Sequence, residues 1–320
     1  MSELPLQNMP FTFASVDFGF EVTEPILFDK YPGFIIRSGF GAALKRLCLY
    51  DSKRVPCNQC YLKDTCPYAY IFETFRPGDK EIDFTAERFP HPFVFYPHLT
   101  RPGLLAPGSS FRLTITLFGN GIPYLLFYIY AFDLLGQMGL GRARGTFSLQ
   151  YVTDSLTGRL LYQHSDRMLQ SKPTTRSLQE LIEGNSPQHA VTMTFLTPTK
   201  IEHRSRTIET LTPDILIRRL LRRSSLLAER HLAVHWDIDF RGIVDTFNAD
   251  VRVEDSRLKV EQYKRYTARQ RRSHCIYAFT GQAKLTGNLV PYMPLLRLGS
   301  FMQIGNSTSQ GLGKYTLTEA

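Results

Sequence analysis

The sequence has few of the features that mark membrane or secreted chains. Its longest apolar stretch, Ile122 to Leu135, contains Pro123 and Asp133 and is shorter than the roughly 20 residues that a membrane-spanning helix needs. The first residues show no basic segment followed by an apolar one, so no secretory signal is expected. We therefore expect a cytoplasmic protein without a membrane partner, whose thiols stay reduced and form no disulfide bonds.

Acidic residues are also in short supply. The 320 residues include 29 Asp and Glu against 38 Lys and Arg, which gives a formal net charge of +9. This excess favours a polyanionic partner. The hydrophobic fraction of 43% excludes a disordered chain, and the length predicts about two domains.

Alternating apolar and polar residues predict strands in the first half at 11–20, 93–96, 111–118 and 146–151. A helix is expected from Gly33 to about Cys48, whereas Ile122 to Leu135 fits either a helix or a buried strand. In the second half, Thr212 as N-cap and Pro213 as first helical residue predict a helix that ends near His231. Further strands are expected at 190–196, 237–239, 260–266, 276–285 and 315–317, with a turn at Pro198 and a short helix at 292–299.

The two halves share a pattern that predicts a duplication. GLGRARGTFSL in the first half parallels GLGKYTL in the second, and each follows alternating strands and helices. We expect an α+β protein of two tandem ferredoxin-like (RRM-like) domains, since the split βαβ order fits best. The first domain is placed at 1–165, a polar linker at 166–188, and the second domain at 189–320.

Four of the five cysteines lie within nineteen residues. They are Cys48, Cys57, Cys60 and Cys66, separated by turn-forming residues. Four thiolates form the tetrahedral set that Zn²⁺ prefers, so a structural zinc in a loop over 48–66 of the first domain is the first interpretation. An iron–sulfur cluster with the same ligands and a chance grouping of unligated thiols are the alternatives. Cys275 stands alone and is expected to be a small buried residue.

The predicted helix from Pro213 is amphipathic and strongly basic. One arc carries four arginines and the opposite arc carries leucines. The functional interpretation is a phosphate-binding face, and the alternative is a solvated face with acids nearby in the fold. The arginines are Arg218, Arg219, Arg222 and Arg223.

The segment QYKRYTARQRR, residues 262–272, is basic and contains no acid. Tyr263 and Tyr266 are interleaved with its cations, which are Lys264, Arg265, Arg269, Arg271 and Arg272. Cations bind phosphates while aromatic rings stack on unpaired bases. No groove-reading helix is evident, so single-stranded or hairpin RNA fits this segment better than duplex DNA.

The chain ends in a glycine-rich stretch, GNSTSQGLGKYTL, which lacks Walker A spacing. Gly311, Gly313 and Lys314 form a candidate phosphate contact, because glycines allow close approach to backbone N–H groups. This stretch resembles the glycine-rich loop of the RAMP superfamily of CRISPR-associated proteins. Upstream, FLTPTKIEHRSRT, IRRLLRR, YKRYTARQ and LVPYMPLLRLGSFMQIG occur in the order seen in the Cas6 family of CRISPR precursor-RNA-processing endoribonucleases, and FIIRSGFGAALKRLC with CPYAYIFE resembles the members that carry a four-cysteine insertion.

The resemblance implies two ferredoxin-like domains that bind CRISPR repeat RNA and act as a monomer or homodimer. Other CRISPR effector subunits are further candidate partners. It also implies metal-independent cleavage, in which a 2′-OH attacks the adjacent phosphate and leaves a 2′,3′-cyclic phosphate and a 5′-OH. That chemistry needs a base, an acid and a cation.

Family members often carry a histidine near the first helix, and residues 32–51 contain none. The candidate catalytic residues are therefore Lys45 or Arg37 for charge, Tyr50 as a proton relay, and His231 or His235 as general acid–base. Two alternatives to an endoribonuclease remain open. They are a non-catalytic RNA-binding subunit of a CRISPR effector and a DNA-binding regulator with a zinc module.

Overall fold

The chain forms two compact units in a computed structural model that describes residues 9–48, 57–75, 89–99, 101–181, 189–203, 206–267 and 272–319. The N-terminal unit is Phe13–Thr174, and the C-terminal unit joins Thr175–Ala320 with Met1–Thr12. The boundary falls inside the expected linker 166–188. Residues up to 174 belong to the N-terminal unit because Gln170 N donates to Leu161 O at 2.8 Å and Thr174 N donates to the Asp154 carboxylate at 2.7 Å.

The N-terminal unit is a mixed α+β structure with an antiparallel sheet. Its elements are β1 (Thr12–Val22), β2 (Ile26–Phe28), α1 (Pro32–Cys48), α2 (Pro67–Glu73), β3 (Phe93–Pro97), β4 (Gly103–Leu105), β5 (Ser110–Phe118), α3 (Leu125–Met138), β6 (Phe147–Asp154), β7 (Leu160–Gln163) and β8 (Met168–Leu169). The main sheet has the order β3-β5-β1-β6-β7-β8. Strands β1, β3, β5 and β6 with helices α1 and α3 therefore give a β-α-β-β-α-β unit.

The stretch left open between helix and strand is the helix α3. Its buried residues Tyr128, Ile129, Phe132 and Leu135 recur at three- and four-residue spacing, which places them on one helical face. Among the described residues, no helix combines the length and the apolarity required to cross a bilayer.

Helices α1 and α3 cover one face of the N-terminal sheet with aromatic rings. Phe40 of α1 stacks on Phe132 of α3 with ring centroids 5.2 Å apart, and it packs edge-on against Phe95 of β3 at 5.3 Å. Phe18 of β1 lies 5.4 Å from Phe132. These rings are fully or almost fully buried and form the centre of one core.

The C-terminal unit repeats the same order of elements. They are β9 (Arg176–Ser177), β10 (Ala190–Thr199), β11 (Glu202–His203), β12 (Arg206–Thr207), α4 (Pro213–Leu232), α5 (Phe240–Asp250), β13 (Val251–Thr267), β14 (Arg272–Gly287), α6 (Met293–Met302) and β15 (Tyr315–Glu319). Its sheet has the order β13-β14-β10-β15. In both units the four core strands therefore follow the spatial order 2-3-1-4 of the ferredoxin-like fold, so the expected duplicated α+β architecture is confirmed.

Two local predictions were wrong. Residues 237–239 were expected in a strand, but Asp239 is the N-cap of α5 and accepts a hydrogen bond from Gly242 N at 2.9 Å. A turn was expected at Pro198, but β10 continues to Thr199 with an irregular register after Phe195. In both places a side-chain cap or a sheet irregularity outweighs the local pattern.

The glycine-rich stretch before β15 is shaped by backbone contacts. Gly313 has φ +86°, and a Cβ on it would lie 1.9 Å from Ile304 O. Gly158 has a similar φ of +71° but open space around it. Position 313 therefore requires glycine for two reasons, and position 158 for one.

We predict that Gly313→Ala destabilises the chain much more than Gly158→Ala does. The left-handed backbone alone costs a residue with a Cβ roughly 1–2 kcal/mol, and only position 313 adds a backbone clash. Thermal unfolding of both full-length variants measures the difference. Equal melting temperatures would show that the contact with Ile304 O does not constrain the loop.

Candidate nucleic-acid interface

Helix α4 begins and packs as the sequence predicts. Thr212 caps it by accepting from Ile215 N at 3.3 Å, and Pro213 occupies its first turn. Leu216, Leu220 and Leu227 are fully buried. The arginines lie away from this apolar stripe, so their individual contacts decide which of them can face a ligand.

The four arginines of the predicted basic face of α4 separate into two pairs. Arg218 and Arg222 are exposed, and Arg218 forms an ion pair with Asp214 at 2.7 Å. Arg219 donates to the backbone carbonyl of Glu202. Arg223 Nε donates to Met302 O at 2.8 Å, and burial lowers the pKa of its guanidinium to about 9. The exposed part of the predicted basic face is therefore Arg218 and Arg222.

His231 does not reach the surface. It lies in the last turn of α4 with 0% of its area exposed, beside the nearly buried Arg230. A general acid–base must contact the reacting atoms. The assignment of His231 as a catalytic residue therefore conflicts with its position in the core.

The basic segment lies at the far end of the β13–β14 hairpin. Lys264 is exposed and Arg265 is half-buried. Arg272 pairs with Thr267 across the hairpin, whereas Arg269 and Arg271 lie outside the described residues. Cys275, expected to be buried, is exposed opposite Lys264, because the hairpin here runs beyond the paired length of β10.

The C-terminal glycines are mainly structural. Gly311 and Gly313 are buried, and Lys314 Nζ donates to Ser300 O at 2.9 Å. The loop's exposed residue is Asn306, whose side-chain amide donates to Glu202 Oε2 at 3.2 Å. Burial of the two glycines and the bond from Lys314 to Ser300 O therefore argue against the predicted phosphate contact through Gly311, Gly313 and Lys314.

The cysteine cluster forms one close pair. Cys48 ends α1 and Cys66 is the N-cap of α2. The Cys48 thiol donates a hydrogen bond to Cys66, which lowers the pKa of Cys66 to about 6 and raises the pKa of Cys48. Burial raises the pKa of Cys57, and the nearby Cys60 and Cys66 raise it further.

A structural zinc site needs four ligands that surround the ion as a tetrahedron. Within the described residues, no three His, Cys, Asp or Glu side chains are grouped as metal ligands. The donor chemistry suits a thiolate-binding metal, but the geometry presents one pair rather than a closed set of four. The zinc-binding insertion is therefore not shown by the fold.

Of the remaining catalytic candidates, Lys45 lies close to Cys57. Lys45 is half-buried, with Nζ 5.8 Å from the centre of the Tyr68 ring, and its charge lowers the pKa of Cys57. Tyr50 lies outside the described residues. Arg37, considered for charge stabilisation, is buried and stacks on Phe72 at 3.5 Å, so it belongs to the core.

Sequence reasoning missed a polar network on the open face of the N-terminal sheet. Arg112 Nη2 donates to His98 Nδ1 at 3.2 Å, and His98 Nε2 lies 2.8 Å from Thr114 Oγ1. Thr114 in turn donates to Asp17. The alternation in β5 places Arg112 and Thr114 on the face opposite the buried Leu113, but no local pattern indicates that they meet the histidine that follows β3.

Two family models match the chain. Residues 10–174, just over half of it, match AF_1859_N, which is described as an N-terminal domain. The chain belongs to the AF_1859_N family. Residues 193–315 match the model of the CRISPR-associated endoribonuclease Cas6, so the C-terminal unit of this AF_1859_N chain is similar to Cas6.

One protein relative and several solved structures are similar to the AF_1859_N chain. An uncharacterized protein of Archaeoglobus fulgidus is 30% identical over 139 residues, and the chain spans only 43% of that protein. Thermus thermophilus Cas6 (TTHB231) has a TM-score of 0.57 at 19% identity over 96% of this chain and 99% of its own. A partial Cas6-RT-Cas1–Cas2 complex gives 0.57 at 13% identity over 98% of this chain and 46% of its own. At these identities the likeness shows the shared fold.

We predict that Arg223→Gln lowers the stability of the chain while Arg222→Gln does not. The first change removes a charged donor from Met302 O, and hydrogen bonds to charged groups contribute about 1.5–3 kcal/mol. The second changes an exposed side chain, where substitutions usually stay within about 0.5 kcal/mol. Urea unfolding of both variants gives the two free energies. A destabilised Arg222→Gln would assign both arginines to packing.

Proposed function

We propose that this chain is an endoribonuclease that binds CRISPR repeat RNA and processes precursor RNA. The observation that carries the proposal is the Cas6 family match over 193–315. The strand order of both units agrees with it, and so does the similarity to Cas6 folds over 96% of the chain. The net charge of +9 suits a polyanionic substrate.

The proposed RNA surface consists of the basic side chains that remain accessible. On α4 these are Arg218 and Arg222, and on the β13–β14 hairpin they are Lys264 and Arg265. Arginine suits phosphate because its planar fork donates two parallel hydrogen bonds. Arg219 and Arg223 are not included in this surface, because both donate to backbone carbonyls within the unit.

The proposed chemistry is metal-independent attack of a 2′-OH on the neighbouring phosphate, which yields a 2′,3′-cyclic phosphate and a 5′-OH. A base must accept the 2′-OH proton and an acid must protonate the leaving 5′-oxygen. A cation must stabilise the negative charge that develops on the phosphate oxygens. Lys45 is the proposed cation and Tyr50 the proposed proton relay, whereas His231 is not proposed for a role here because it is buried.

We predict one cut per repeat when the purified chain is incubated with labelled repeat RNA in excess EDTA. A single 2′-deoxy substitution immediately 5′ to the scissile phosphate should abolish that cut, because it removes the nucleophile. Scanning the 2′-deoxy position along the repeat locates the site. A cut that EDTA removes, or one that no 2′-deoxy position affects, would contradict the mechanism.

A non-catalytic RNA-binding subunit is the second candidate function. The observation that favours it is that α1 contains no histidine and that His231 is fully buried. Tight binding of repeat RNA without any cut in the same assay would select this alternative.

We also propose that the loop over 48–66 holds a structural Zn²⁺ through Cys48, Cys57, Cys60 and Cys66. The proposal is supported by four thiols in one short segment, two of them already hydrogen-bonded to each other. When bound, the metal would supply a cross-link to a loop with few apolar residues. No step of the cleavage depends on it.

We predict that Cys57→Ser with Cys60→Ser releases about one metal ion per chain and lowers the melting temperature. Metal content measured by atomic emission, together with thermal unfolding, tests the prediction. Cys275→Ser is the matched control, because Cys275 is exposed on the C-terminal unit. Equal metal content in all three proteins would refute the zinc site.

A further inference from the structure

The open face of the N-terminal sheet carries a groove that the proposed function does not use. It lies on the strands β1, β5 and β6, on the side opposite the aromatic core, and includes the residue that follows β3. Its lining includes Gly19, Glu21, His98, Arg112, Gln150 and Tyr151. Because all of these belong to one compact unit, the groove is complete within that unit.

A β-bulge turns Tyr151 into this groove. Gly19 pairs with Tyr151, and the next residue of β1, Phe20, pairs with Leu149, so Gln150 is the additional residue. As a result neither Gln150 nor Tyr151 enters the core, whereas Leu149 is fully buried. Bulges are common beside functional sites because they redirect a side chain in this way.

The absence of a side chain at Gly19 leaves room for the Tyr151 ring on the sheet. A Cβ at position 19 would lie 2.3 Å from Tyr151 Cζ and 2.5 Å from its Cε1, so the ring lies across the backbone of β1 where any other residue would carry a side chain. The ring remains 42% exposed. An aromatic ring held against a sheet with an open outer face is the geometry on which unpaired bases stack.

Arg112 lies on the other side of β1, also in register with Gly19. Neighbouring strands are about 4.8 Å apart, so the backbones of Arg112 and Tyr151 are separated by about 10 Å. Since arginine only donates, His98 Nδ1 accepts from it and Nε2 carries the proton that faces Thr114. This network orients a guanidinium that has five N–H donors, of which the contact with His98 uses one.

Glu21 limits what the groove accepts. It is exposed on the same face of β1 as Gly19, two residues further along. A carboxylate repels a run of phosphates but accepts hydrogen bonds from the N–H groups of a base edge. Stacking ring, guanidinium and carboxylate together suit one nucleotide rather than a tract of backbone.

We propose that this groove binds one nucleotide of single-stranded RNA, with the base stacked on Tyr151 and its phosphate on Arg112. The choice of RNA as the ligand rests on the proposed function. The binding geometry itself rests on the contacts of the N-terminal unit alone.

The test is binding of a fluorescein-labelled hexauridylate to the full chain over a range of salt concentrations. Tyr151→Leu keeps an apolar side chain over Gly19 but removes the ring, and it should weaken binding at least about fivefold because one base loses its stacking partner. Tyr151→Phe should retain the affinity. Arg112→Gln should weaken binding and reduce the slope of log affinity against log salt by about 0.7, the value for one phosphate of a single strand.

Matched controls come from the same unit. Tyr130 is also exposed but lies on α3, and Arg159 is exposed and donates to Lys172 O. Tyr130→Ala and Arg159→Gln should bind as the original chain does. Photocrosslinking with 5-iodouridine in the hexamer should label the peptide that contains Tyr151.

The proposed nucleotide site would be refuted if Tyr151→Leu and Arg112→Gln left the hexamer affinity unchanged, or if the crosslink appeared only in other peptides. This result is independent of cleavage. A chain that cuts repeat RNA but shows no groove effect retains the proposed function and loses this inference. A chain that binds through the groove but cuts nothing retains this inference and loses the proposed cleavage.

Discussion

One-sided burial of the antiparallel sheet is the constraint on which the rest of the structure depends. In the N-terminal unit, Val16, Phe18 and Phe20 of β1 point into the aromatic core under α1 and α3. Strand alternation then places Asp17, Gly19 and Glu21 on the opposite face. The core therefore fixes the register of the strands, and the register decides which polar side chains can meet on the open face.

This constraint also explains how much of the fold the sequence could predict. Helix α4 was predicted almost to the residue because its signals are local: Thr212 caps it, Pro213 starts it and the leucines recur along one side. Helix α3 remained ambiguous because a short apolar run fits a helix or a buried strand equally well. Helix α5 was missed because Asp239 reads as part of an alternating strand until its bond to Gly242 N is seen.

The candidate site was less predictable, because charge in a sequence does not report contact. Arg222 and Arg223 are neighbours, yet one is exposed and the other is tied to Met302 O, 79 positions further along the chain. His231 has the residue type expected of an acid–base catalyst, but tertiary packing buries it. The partners that make these differences come from distant segments, so neither composition nor spacing could have indicated them.

The two glycine-rich stretches show why such a motif marks the fold before it marks a ligand. Both precede the fourth strand of a ferredoxin-like unit, and Gly139, Gly141, Gly311 and Gly313 all have positive φ. The basic residues of the two stretches have different surroundings. Arg142 and Arg144 are exposed, whereas the Lys314 ammonium donates to Ser300 O. The glycines in both stretches thus allow the positive φ angles that the backbone adopts just before that strand. The RNA contacts proposed for each unit are therefore argued from individual accessible side chains rather than from the motif as a whole.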